Sequence, residues 1–128
     1  FVSQIINHCR GTTSDGRKIY TLQDIYHHAD FVTYPSTREG FGNAFLEAIY
    51  FRKPILVNHY SIYSFDIKTK GFSAVEINGY VTDEAVEKTR ALLEDPRLRE
   101  DMVENNYALG KKFFSYDVLQ EKLMNIMV

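Results

Sequence analysis

Apolar residues fall along this chain in short blocks of two kinds. The opening "FVSQII" alternates loosely and predicts a strand, and "FVTY" (Phe31–Tyr34), "PILVN" (Pro54–Asn58) and "SAVEI" (Ser73–Ile77) are brief β-prone runs without polar alternation. Between them the spacing becomes helical. Thr21 with Asp24 forms a capping-box pattern ahead of Leu22, Ile25, Tyr26 and Ala29, which predicts a short helix ending near Asp30. A turn after Pro35 leads to a helix that begins at Gly42 or Asn43 and runs to about Phe51. Asp83 to Leu93 carries Ala85, Val86, Thr89, Leu92 and Leu93 at helical spacing. Asp95-Pro96 then starts a helix with Leu98, Met102, Asn105 and Leu109 on one side. Ser115 caps a last helix that places Leu119, Leu123 and Ile126 inward. The segments "NHCRGTTSDGRK" and "HYSIYSFDIKTKG" are polar and read as loops. Short strands without polar alternation, separated by helices, predict an α/β fold: a Rossmann-like parallel sheet flanked by helices on both faces.

Composition narrows the function classes. At 128 residues, with 45% hydrophobic and 25% charged residues, the chain reads as one globular domain. A net charge of −2 provides no basic field for nucleic acid. No apolar run approaches the ~20 residues that span a bilayer. The single cysteine, Cys9, excludes an internal disulfide and points to the cytoplasm, with peripheral membrane attachment of a full-length protein left open. The chain opens without an initiator Met and reads as a piece of a longer polypeptide.

The candidate chemistry sits in "STREGFGNAFLEAIYFRKP" (Ser36–Pro54), where Glu39 and Glu47 lie eight positions apart around a Gly-Phe-Gly turn. Because the helix follows a strand, its N-terminus lies at the carboxyl edge of the sheet, where open α/β folds bind ligands. Free amides and the helix dipole favour an anion there, and Gly40 and Gly42 permit close backbone approach. Glu47 is surrounded by Ala44, Leu46, Tyr50 and Phe51 on the helical wheel, so its carboxylate needs a partner. Two carboxylates would repel a phosphate but suit vicinal hydroxyls. Phosphate with hydroxyls at both ends describes a nucleotide sugar.

From about Tyr20 to Met127 the chain resembles the C-terminal, nucleotide-binding domain of the retaining GT-B glycosyltransferases of group 1. The segments "HADFVTYPSTREGFGNAFLEAIYFRKPILV" and "LLEDPRLREDMVENNYALGKKFFSYDVLQEKL" carry the resemblance. It implies that residues 1–128 are one partial domain, with an N-terminal acceptor domain outside this chain. It implies that Glu39 contacts donor-sugar hydroxyls near the reacting carbon as the catalytic glutamate, and that Glu47 holds the ribose hydroxyls. Gly40, Phe41, Gly42 and Asn43 then contact sugar and diphosphate through backbone amides, with Arg38 beside them. No metal and no separate cofactor are implied. The implied partners are a nucleotide sugar and an acceptor that is a saccharide, a lipid or a small molecule. Four features depart from the pattern: Asn43 replaces a commoner aliphatic residue, "NHYSIYSFDIKTKG" replaces a Gly-rich, Glu-containing segment, the loop from Asn7 to Lys18 is longer than usual, and the usual diphosphate-gripping Arg/Lys pair has no match. Arg10, Arg17 or Lys18 are the candidate sources of positive charge.

Plainer readings stand beside these. Glu47 could pair with a lysine, the glycines could serve the turn alone, and Arg38 could be merely exposed. Arg52 and Lys53 suit a helix C-terminus. His27–His28 and His8–Cys9 lack zinc spacing. Tyr60, Tyr63 and Phe65 fit either core or cleft. As rival functions, a dinucleotide oxidoreductase is disfavoured because "GFGNAF" lacks the third glycine. A receiver-like domain is disfavoured because Asp30 precedes its strand. A non-catalytic nucleotide-binding or scaffold module is the remaining alternative.

Overall fold

A computed structural model of the protein describes residues 3–127. After a 3-10 turn (Ser3–Ile5), the elements in chain order begin with β1 (Gly11–Thr12), β2 (Lys18–Ile19), α1 (Leu22–His28) and β3 (Val32–Tyr34). They continue with α2 (Asn43–Tyr50), β4 (Ile55–Asn58) and β5 (Val75–Ile77), then α3 (Asp83–Glu94), α4 (Pro96–Phe114) and α5 (Tyr116–Ile126). The main sheet is parallel in the order β3-β4-β5, with Val32 opposite Ile55 and Leu56 opposite Val75. Every residue of β4 is buried, as expected for the central strand of a sheet covered on both faces.

Alternate residues of β4 feed two cores. Ile55 and Val57 join Phe45, Ala48 and Ile49 of α2 on one face, with Leu109, Phe113 and Phe114 of α4 against them. Leu56 faces the other way, with Val75, Ile77, and Ala85 and Leu92 of α3. Gly110 lets α2 and α4 approach, since a Cβ there would stand 3.0 Å from Ile49 Cγ2. Arg52, in the left-handed region (φ 51°) just beyond α2, reaches Glu104 at 2.5 Å and lies 3.6 Å over the Tyr107 ring.

Local signals were read correctly at the helix starts. The Thr21–Asp24 box caps α1, Asp95 caps α4 with Pro96 at its first position, and Ser115 caps α5. Four expectations need correction. The predicted opening strand is reduced to a parallel bridge between Ile6 and Tyr20, with residues 1 and 2 outside the described ones, because Ser3–Ile5 forms a 3-10 turn; Lys18–Ile19 pairs with Gly11–Thr12 in a hairpin. That hairpin lies within the predicted first loop. The second predicted loop contains a π turn (Tyr63–Ile67) and a 3-10 turn (Lys68–Lys70), with Tyr60, Tyr63 and Ile67 buried in the core and Phe65 exposed. The apolar face of α5 is not inward: Leu119, Leu123 and Ile126 are 51%, 51% and 80% exposed, because no element packs over it among the described residues. On α4 the buried residues are Val103 and Asn106, while Leu98 and Asn105 are exposed. Among the described residues, no helix is long and apolar enough to cross a membrane.

Candidate functional site

Two loops and a buried amide shape the carboxyl edge of the sheet. Asn58, the last residue of β4 and only 3% exposed, donates to the Pro35 carbonyl at 3.5 Å and accepts from the Gly79 amide at 2.9 Å. It therefore ties the loop after β3 to the loop after β5. The turn that follows Pro35 ends at Gly42, the N-cap of α2, at φ +100°. A Cβ on Gly42 would overlap the Tyr60 hydroxyl, so glycine is required for both space and dihedral. Tyr60 donates to the Phe41 carbonyl at 3.3 Å, and its ring meets Tyr34 edge-on at 6.0 Å. Burial, then the charge of Glu39, pushes the Tyr60 hydroxyl up to about 12, which keeps it a donor. Gly40 has no atom within 4 Å of a built Cβ and has no such constraint. Asn43 and Arg38 are exposed, and Phe41 packs edge-on against Phe114 at 5.4 Å. No side chain caps α2, so its first amides remain open toward the turn.

A tyrosine lies beside each glutamate, and that of Glu47 hydrogen-bonds it directly. Glu39 is half-buried in the turn, where the Ser36 and then the Tyr34 hydroxyl hold its carboxyl below the usual range. Tyr34 is in turn pushed above its ordinary range by burial and by Glu39. Glu47 lies one turn into α2, also half-buried, and its Oε2 accepts from the Tyr26 hydroxyl of α1 at 3.0 Å. The Tyr26 ring is buried and stacked on Phe51 at 4.8 Å, and burial followed by Glu47 pushes its hydroxyl well above the ordinary range. The partner of Glu47 is thus neutral, and no cation pairs with it among the described residues. Glu47 also borders a groove of about 460 Å³ lined by Leu46, Ile49, Tyr50, Tyr107 and Phe114.

Two of the three candidate sources of extra positive charge, Arg10 and Arg17 but not Lys18, have acidic partners close by. Arg10 is bound to Asp24, and Arg17 to Asp15 at 2.8 Å, so both guanidiniums are committed to local pairs. Lys53 donates to the His27 carbonyl at 3.4 Å, against the end of α1. Sequence reading missed Tyr26, Tyr34 and Asn58 as parts of this edge, and left Tyr60 open between core and cleft. A signal existed for Tyr26: a phenol on the apolar face of one helix needs a polar partner, as does a carboxylate on the apolar face of another. Sequence reading also missed a second acidic cluster. Glu76 on β5 takes Lys68 at 2.6 Å and His59 at 2.8 Å on Oε2, and the Tyr63 hydroxyl at 2.8 Å on Oε1.

Comparison with known proteins agrees with this architecture. The family described as glycosyl transferases group 1 matches residues 16–109. The chain is 42% identical over 112 residues to a mannosylglucosylglycerate synthase of Thermotoga maritima, covering 77% of this chain and 26% of that protein. It is 50% identical over 60 residues to the protein of the same name from Petrotoga mobilis, covering 47% of this chain and 14% of that one. The chain thus spans about a quarter of the length of the Thermotoga relative. No solved structure matches the chain.

Proposed function

The chain belongs to the glycosyl transferases group 1 family, and on that premise we propose that it is the donor-binding part of a longer enzyme. That enzyme transfers a hexose from a nucleotide-diphosphate sugar to an acceptor with retention of anomeric configuration. The name shared by the two relatives favours a hexosyl group as the transferred unit. Glu47 accepts the ribose hydroxyls, and Glu39 accepts sugar hydroxyls beside the reacting carbon. The backbone amides of Gly40 to Asn43, with the open start of α2, receive the diphosphate as negative charge develops on it. Arg38 contributes charge at the rim. No metal is required in this scheme, since positioning and amide donors stabilise the leaving group. The acceptor, and an N-terminal domain of the same polypeptide that binds it, complete the reaction.

The observation that carries the reading is the neutral partner of Glu47. A carboxylate answered by a phenol keeps its full charge and its second oxygen, which a diol can use. Saturation-transfer NMR with UDP-glucose, GDP-mannose and NAD tests it. Transfer to the ribose protons of a nucleotide sugar is expected, with NAD silent. Silence toward all three supports a non-catalytic module instead.

A further inference from the structure

We propose that the Tyr26 hydroxyl is a positioning group for Glu47, fixing one carboxylate oxygen so that the other faces the ligand diol; this rests on the donor-binding reading above. The hydroxyl meets Oε2 at 3.0 Å, leaving Oε1 for the ligand. The ring that carries it cannot swing away, because it is buried and lies parallel to Phe51 at 4.8 Å with planes 10° apart. Phe51 sits four residues after Glu47 at the end of the same helix, and its amide donates to the Glu47 carbonyl at 3.0 Å. One turn of α2 therefore presents both the carboxylate and the platform for its holder. The helix bearing Tyr26 is fixed at its start by the Thr21–Asp24 box and touched near its end by Lys53. A lysine in place of Tyr26 would also orient the glutamate, but would neutralise the charge the diol needs. A phenol orients without neutralising. Holding the side chain in one rotamer before the ligand arrives removes an ordering cost from binding.

The test uses the full-length polypeptide and dissociation constants for UDP and GDP, each against its 2′,3′-dideoxy counterpart. The ratio of the two constants reports the preference for ribose hydroxyls. Tyr26→Phe keeps the ring and its stack, and is expected to lower that preference by about threefold to tenfold; Glu47→Gln should lower it further. A merely structural tyrosine would weaken both nucleotides equally and leave the ratio alone, and thermal melts report any general loss of stability separately. If Glu47→Gln lowers the ratio while Tyr26→Phe leaves it unchanged, the positioning role is overturned and the donor reading stands. If Glu47→Gln itself leaves the ratio unchanged, or no nucleotide binds, the donor reading falls and the role of Tyr26 falls with it.

Discussion

Glu47 and Glu76 are both half-buried carboxylates, yet their surroundings differ in kind. Glu76 is answered on both oxygens, by Lys68 and His59 on one and Tyr63 on the other. Its charge is balanced by Lys68; Lys68 and Tyr63 come from the helical turns after β4, and His59 directly follows that strand. Such a group fastens the edge strand to those turns. Glu47 has one neutral donor on one oxygen. Among the described residues no ion pair balances its charge, although desolvating an ionised carboxylate is costly. An acid paired with a lysine and answered on both oxygens is serving the fold, whereas an acid answered by a phenol on one oxygen is still able to accept from a ligand.

The contrast can be broken or sharpened by substitution. The largest effect is expected at Gly42, whose turn sets the start of the helix carrying Glu47. Gly42→Ala should lower unfolding free energy by about 2–4 kcal/mol, from a left-handed alanine plus displacement of Tyr60, as read by urea denaturation. Next is Glu47→Gln, which should weaken donor binding roughly tenfold to a hundredfold, or about 1.5–3 kcal/mol, in calorimetric titration of the full-length polypeptide. Its urea midpoint should barely move; a large loss of stability with unchanged affinity would make Glu47 a packing residue like Glu76. Glu76→Gln should do the opposite. It is expected to cost about 1–2 kcal/mol of stability, discounted because Lys68 is partly exposed, and to leave donor affinity within about twofold.

Acid titration separates the same two carboxylates. Burial pushes the Glu76 carboxyl up, but donation from Lys68, His59 and Tyr63 outweighs it and leaves the group below its ordinary 4.5. A carboxylate depressed in the folded state contributes stability that is present above the unfolded value and is lost as pH falls through the folded one. Stability should therefore fall below pH 4.5, and Glu76→Gln should flatten that limb in melts recorded from pH 6 to pH 3. A limb as steep as in the parent would mean that the cluster is not formed in solution. The smallest effect is expected at Gly40, where alanine meets no atom and should shift stability by no more than about 0.5 kcal/mol.

How far the sequence could be read depended on the range of the interaction. The caps at Thr21, Asp95 and Ser115 were legible because each joins a side chain to an amide two or three residues away, within the local path of the chain. The three sheet strands were legible as brief β-prone runs between helical segments, although β4 alone among them is buried at every residue. Glu39, Glu47 and the glycines between them stood out by spacing and by the oddity of an acid in a greasy helix. Tyr60, Tyr63 and Ile67 have helical spacing, but Ser, Asp, Lys and Thr around them hid a buried helical segment inside an apparent loop. Leu119, Leu123 and Ile126 have the periodicity of an inward face, and a helix by itself cannot say whether another element covers that face.

By itself, then, the sequence determined where α1 to α5 and the three strands of the main sheet lie, and that an acidic pair flanks a glycine turn at the sheet edge. Only the tertiary structure decided what each carboxylate meets. Tyr26 and Glu47 are 21 residues apart, Tyr63 and Glu76 13 apart, and Asn58 bridges loops on either side of its own strand. Those partnerships arise when separate elements dock, so the choice between a neutral donor and a cation is made by packing across the sheet and not by neighbours along the chain.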